Sequence, residues 1–102
     1  MEHSDKHNTD REPTYHVLIY GLVTGVGFRF SAAREAKRYK GLKGYIRNKA
    51  PNTVECMVQG TESEVNEFLK WLEKGPPSAE VEDCKITPVS QDKHLEDFNV
   101  AP

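Results

Sequence analysis

Apolar residues recur along this chain with two different periods. Residues 15–20, YHVLIY, form a short run of β-branched and aromatic side chains, as in a central strand apolar on both faces. Over residues 28–40 the spacing lengthens to three and four. Phe28, Ala32, Ala36 and Tyr39 share one side of a helix, and Gly41 follows as its stop. Residues 42–48 read as a second strand. Lys49, Ala50, Pro51 and Asn52 then reverse the chain, and Asn52 tolerates a left-handed backbone. Over residues 53–59, Val54, Cys56 and Val58 alternate with Thr53, Glu55 and Gln59, which predicts a strand with one apolar face.

The second helix announces its start. Thr61 and Glu64 have the spacing of a capping box, and Val65, Phe68, Leu69 and Leu72 make one apolar stripe with Trp71 beside it. Gly75, Pro76 and Pro77 stop it. Residues 80–87 read as a fourth strand, residues 88–94 as a polar loop, and residues 95–100 as a short last strand. The order is β-α-β-β-α-β with a final strand. Two helices cannot cover both faces of so small a sheet. The expected fold is therefore α+β, ferredoxin-like: an antiparallel sheet with both helices on one face.

The 102 residues suffice for one domain with its own core. Residues 1–13 are polar throughout and read as a disordered tail, leaving residues 14–102 as the domain. His3 and His7 in that tail read as solvated side chains rather than metal ligands. His16, inside the first strand, reads as a packed side chain. Net charge is −2 with 29% charged residues, a mixed surface that argues against a general nucleic-acid binder. Cys56 and Cys84 sit in apolar strands and read as reduced thiols. No segment reaches the ~18 apolar residues of a membrane helix. The start of the chain has no signal-peptide pattern, so the expected location is the cytoplasm.

Between the first strand and the first helix stands Gly21-Leu22-Val23-Thr24-Gly25-Val26-Gly27-Phe28-Arg29. The first N–H groups of a helix lack internal partners, and the helix dipole adds positive charge there. Glycines let the backbone turn into a concave nest of N–H groups that suits phosphate or carboxylate. Arg29, in the first helical turn, can grip two phosphate oxygens at once. The bland alternative is a tight turn with a solvated arginine. The pattern is neither of the common nucleotide loops, since the Gly-Lys-Ser/Thr ending and the dinucleotide glycine spacing are both missing.

The stretch from Gly21 to Arg29 resembles the signature loop of the acylphosphatase family. A second run, Gly44-Tyr45-Ile46-Arg47-Asn48, is similar to that family's signature on strand 2. Thr53-Val54-Glu55, Val58-Gln59-Gly60, Gly75-Pro76-Pro77 and Glu96-Asp97-Phe98 follow in the family's order, so the resemblance covers about residues 15–100. It implies the ferredoxin-like fold and hydrolysis of acyl phosphates to a carboxylate and inorganic phosphate. No metal or organic cofactor is implied. The resemblance places the catalytic arginine on Arg29 and the catalytic asparagine on Asn48. It places the phosphate-binding backbone on Gly21, Leu22, Val23, Thr24, Gly25 and Val26. Three positions depart from the family: Thr24 stands where glutamine is usual, and Pro51-Asn52 where Asp-Gly is common.

The residue types agree with that chemistry. No histidine, cysteine or serine nucleophile accompanies the loop, and no carboxylate cluster suits magnesium. Such a site cannot easily protonate a poor leaving group, but an acyl phosphate leaves as a carboxylate that needs no acid. Lys43, Arg47 and Lys49 either add positive field or are solvated surface charges. One competing class is a carbamoyl-phosphate-handling or regulatory domain, which resembles the acylphosphatases but is normally fused to a larger enzyme; the other is a binding module that stacks RNA bases on Tyr15, Tyr20 and Tyr45. The slightly acidic charge and the missing aromatic strand motif weigh against it. The expected partners are a small acyl phosphate and released phosphate, with neither nucleic acid nor membrane, acting on a monomer.

Overall fold

The structure, a computed structural model, describes residues 11–102. His3 and His7 lie outside the described residues. The elements are β1 (Thr14–Leu22), α1 (Phe28–Ala36), β2 (Lys43–Ala50), β3 (Thr53–Gln59), α2 (Glu62–Lys74), β4 (Glu80–Val89) and β5 (Phe98–Val100). The order of strands in the single sheet is β4-β1-β3-β2-β5. β1 pairs antiparallel with β3 and β4, and β2 pairs antiparallel with β3. β5 runs parallel to β2, so the sheet is mixed at that edge rather than wholly antiparallel. The two helices, five strands and their order are those of a ferredoxin-like α+β fold.

Register explains the core. Val17 lies opposite Cys56 on β3 and Ile86 on β4, and Ile19 lies opposite Val54 and Cys84. Cross-strand partners share a face. That face meets Phe28, Ala32 and Ala36 of α1 and Val65, Phe68 and Leu72 of α2, all buried in one cluster. Each large side chain so buried contributes roughly 1.5–3 kcal/mol of transfer free energy. Trp71 stacks on Phe68 with ring centroids 6.3 Å apart and meets Phe28 edge-on at 5.7 Å, which ties the two helices together.

The other face carries His16, Leu18 and Tyr20 of β1, Glu55 and Met57 of β3, and Tyr45 and Arg47 of β2. Tyr15 is not among them. Its place in the alternation puts it with Val17 and Ile19, packed against the core, so it cannot stack a base on the open face. Cys56 and Cys84 are free thiols. They lie on β3 and β4 with β1 between, about 10 Å apart by strand spacing, beyond disulfide reach. Burial pushes the Cys56 thiol far up, and burial followed by Glu73 and Asp83 pushes Cys84 up to about 11.

Several boundaries differ from the pattern. α1 ends at Ala36 because Lys37, Arg38 and Tyr39 donate to Arg34, Glu35 and Ala36, bonds that tighten its last turn. The last strand keeps three residues, because β2 offers it only Gly44, Tyr45 and Ile46. The Thr61 hydroxyl caps α2 by accepting from Glu64 N–H at 3.3 Å. The reciprocal arm of the capping box is open: Glu64 Oε1 is buried without a partner among the described residues.

Candidate active site

The loop is built on three glycines of positive φ. Gly21, still within β1, has φ 135 and lies so close to β4 that a Cβ would run into the Glu80 carbonyl. Gly25 and Gly27 both have φ 76, and Gly27 is the N-cap of α1. Any other residue would pay about 1–2 kcal/mol there. No side chain caps the helix and no acidic residue stands in its first turn. Ser31 N–H, bonded to Gly27 O at 3.0 Å, is the first donor of the helix.

The loop's donors divide sharply. Gly21 N–H bonds Asn52 O at 3.2 Å, and Val23 N–H bonds Gly21 O at 2.9 Å. The N–H groups of Thr24 to Phe30 donate to nothing among the described residues. Leu22 is 48% exposed at the end of β1, whereas Val23 is buried and Val26 packs against the core. Open donors therefore concentrate toward the helix end, while Gly21, Leu22 and Val23 shape the base of the turn.

Arg29 is half-exposed, its guanidinium 5.3 Å from the centroid of the exposed Phe30 ring. No carboxylate pairs with it among the described residues. Asn48 is exposed near the end of β2, opposite Val54, which in turn lies opposite Ile19. That register puts Asn48 on the helix-covered face, at the end of the sheet where β1 leaves into the loop. The β2–β3 turn brings the two segments together. Asn52, at φ 62, accepts from Gly21 N–H and donates its own N–H to Thr24 Oγ1 at 3.4 Å. On the opposite flank, Ser78 Oγ donates to Val26 O at 2.8 Å.

Several charges on and beside the sheet pair with one another. Glu55 is buried and accepts from Arg47 Nε at 2.5 Å, and its other oxygen lies 2.7 Å from His16 Nε2. Its carboxyl is held below the usual range by the His16 hydrogen bond and by Arg47, against burial that raises it. Lys43 Nζ reaches Glu12 Oε1 at 3.2 Å. Arg47 and Lys43 thus have partners of their own. The pairings of Ser78 with Val26 and of His16 with Glu55 left no local signal in the sequence, because they join positions 52 and 39 apart. Among the described residues no cluster of His, Cys, Asp or Glu is placed to hold a metal ion, and no helix is long and apolar enough to cross a membrane. A groove of about 740 Å³ runs along Ser31 and Arg34 of α1 and Arg38 just beyond it toward Trp71 and Lys74, and its lining includes neither Arg29 nor Asn48.

Topology and loop together define a ferredoxin-like domain whose strand-to-helix turn presents amides, and beside them an arginine, without partners among the described residues. A family model described as Acylphosphatase matches residues 15–100. The acylphosphatase of Burkholderia cenocepacia is 39% identical over 89 residues, which are 87% of this chain and 90% of that protein. The crystal structure of acylphosphatase from Bacillus subtilis superposes with a TM-score of 0.81 at 27% identity, covering 88% of this chain and 99% of that one. The structure of an acylphosphatase from Coxiella burnetii gives 0.79 at 31% identity, covering 91% and 96%. The chain belongs to the acylphosphatase family. Its activity is the hydrolysis of acyl phosphates, with a small acyl phosphate as substrate and phosphate as product.

Proposed function

We propose that the open amides from Thr24 to Phe30, with the Arg29 guanidinium, hold the phosphoryl group of the acyl phosphate, and that Asn48 orients the attacking water. The observation that carries this reading is a run of N–H groups that, like the Arg29 guanidinium within it, have no partner among the described residues. Those groups sit at the positive end of α1, where an anion is stabilised without any rearrangement. Gly21, Leu22 and Val23 belong to the phosphate loop as its frame, because the Gly21 and Val23 amides are already engaged.

Phosphoryl transfer through a loose transition state asks chiefly for positioning and charge stabilisation. Water attacks phosphorus in line, and the bond from phosphorus to the acyl oxygen breaks. The carboxylate departs with the bonding pair, and the water proton passes to a phosphate oxygen. Asn48, being neutral, orients the water and is a poor base. A carboxylate leaving group needs no general acid, so the site should favour acyl phosphates over alkyl or aryl esters. Location in the cytoplasm and action as a monomer complete the proposal.

Purified protein with excess EDTA, assayed on benzoyl phosphate and on para-nitrophenyl phosphate, tests the reading. Fast turnover of the acyl phosphate alone, lost in Arg29→Ala, is expected. Equal turnover of both substrates, or full activity in the variant, would overturn the assignment.

A further inference from the structure

We infer that Ser78 is a positioning residue that fixes the Val26–Gly27 peptide so that the Gly27 N–H faces the bound phosphoryl group. The inference rests on the proposed phosphate cradle and adds a residue to it from another part of the chain. The Ser78 hydroxyl donates to Val26 O at 2.8 Å across 52 positions of sequence. A peptide unit is planar and, in this chain, trans, so the N–H of Gly27 points away from the carbonyl that Ser78 holds. Gly27 N–H has no acceptor among the described residues.

The peptide needs such a hold. Gly27 lacks a Cβ, and a Cβ there would meet nothing within 4 Å, so no side-chain contact at that position locks the unit. A flip would turn the Val26 carbonyl toward the anion and remove one donor. The support behind the hydroxyl is stiff. Pro76 and Pro77 fix two φ angles, and Ala79 N–H closes a turn onto Pro76 O at 3.0 Å. Ser78 is itself exposed and packs on nothing in the core, so its hydroxyl bond is its distinctive contact.

Ser78→Ala, Ser78→Thr and Arg29→Ala are compared with wild type for kcat, KM and competitive inhibition by inorganic phosphate. Ser78→Ala should raise KM and the phosphate inhibition constant about fivefold, the scale of one neutral hydrogen bond, with kcat nearly unchanged. Ser78→Thr, which keeps the hydroxyl, should restore both constants. In the wild-type protein, the Gly27 amide resonance should shift on phosphate titration, and in Ser78→Ala that shift should shrink. An unchanged inhibition constant in Ser78→Ala, equal losses in the Ala and Thr variants, or a Gly27 amide indifferent to phosphate would overturn the inference. If Arg29→Ala binds phosphate as tightly as wild type, the cradle itself falls. If Arg29→Ala fails to bind while Ser78→Ala is unaffected, the cradle stands without this hold.

Discussion

Gln59 holds Asp92 by both of its backbone groups: Oε1 accepts from Asp92 N–H at 2.8 Å, and Nε2 donates to Asp92 O at 3.0 Å. The same Oε1 accepts from Thr14 Oγ1 at 2.7 Å, and Gln59 is 1% exposed. One buried amide thus fastens the β4–β5 loop to β1 and β3. Gln59→Ala should destabilise the domain by about 2 kcal/mol, because it strands buried polar partners. Thermal unfolding measures the loss, and hydrogen exchange at the Asp92 amide should speed up locally.

Arg29 and Asn48 should separate kinetically. Arg29→Ala should lower kcat/KM by about a thousandfold and weaken inhibition by phosphate, because it removes charge from both bound states. Asn48→Ala should lower kcat on the order of a hundredfold with phosphate inhibition retained, since the water and not the phosphate is its partner. Steady-state kinetics with phosphate as inhibitor tests both. An Asn48→Ala enzyme with wild-type kcat would remove that side chain from the mechanism.

Glu55 should dominate part of the acid limb of stability. Its carboxyl is depressed by the His16 hydrogen bond and by Arg47. A depressed carboxyl stabilises the fold above its unfolded pKa, and this contribution is lost as pH falls through the folded value. Urea midpoints should therefore drop as pH falls from about 5 toward 3. Glu55→Gln should start lower at neutral pH and show a flatter acid limb. Parallel curves for the two proteins would contradict this.

Two loop glycines should fail differently. Gly21→Ala forces a Cβ into the Glu80 backbone and should cost about 3 kcal/mol or more, read as a large loss of melting temperature. Gly25→Ala meets open space but keeps φ 76, so it should cost only about 1–2 kcal/mol. Its main effect should be on phosphate affinity, measured by inhibition.

The elements legible in the sequence were those with local causes. The Val54, Cys56, Val58 alternation and the Val65, Phe68, Leu72 stripe lie where their periods put them. Thr61 caps α2 as its spacing predicts, yet Glu64 does not return the bond, because its carboxylate lies against Gly41. Tyr15 was legible as apolar strand but not as to which face it takes, since YHVLIY is apolar throughout. The stretch from Gly21 to Arg29 was legible as a tight strand-to-helix turn from its glycines and the following period, and its proposed role as an anion site came from the resemblance to the family signature. Which of its amides are open was not, because Asn52 closes Gly21 from a turn 31 positions away in sequence (52 − 21). The parallel pairing of β5 was equally hidden, being decided by where the chain returns after α2 and β4.

β4 has consequences beyond its pairing with β1. It ends the sheet, and its outer side has no strand neighbour among the described residues. It presents Glu80, Glu82, Asp83 and Lys85 there, with Pro88 lacking an N–H near its end. A strand from a second molecule would meet acidic repulsion and a missing hydrogen bond on arrival. The longest strand of the protein, at ten residues, is thereby a poor template for fibrillar self-association.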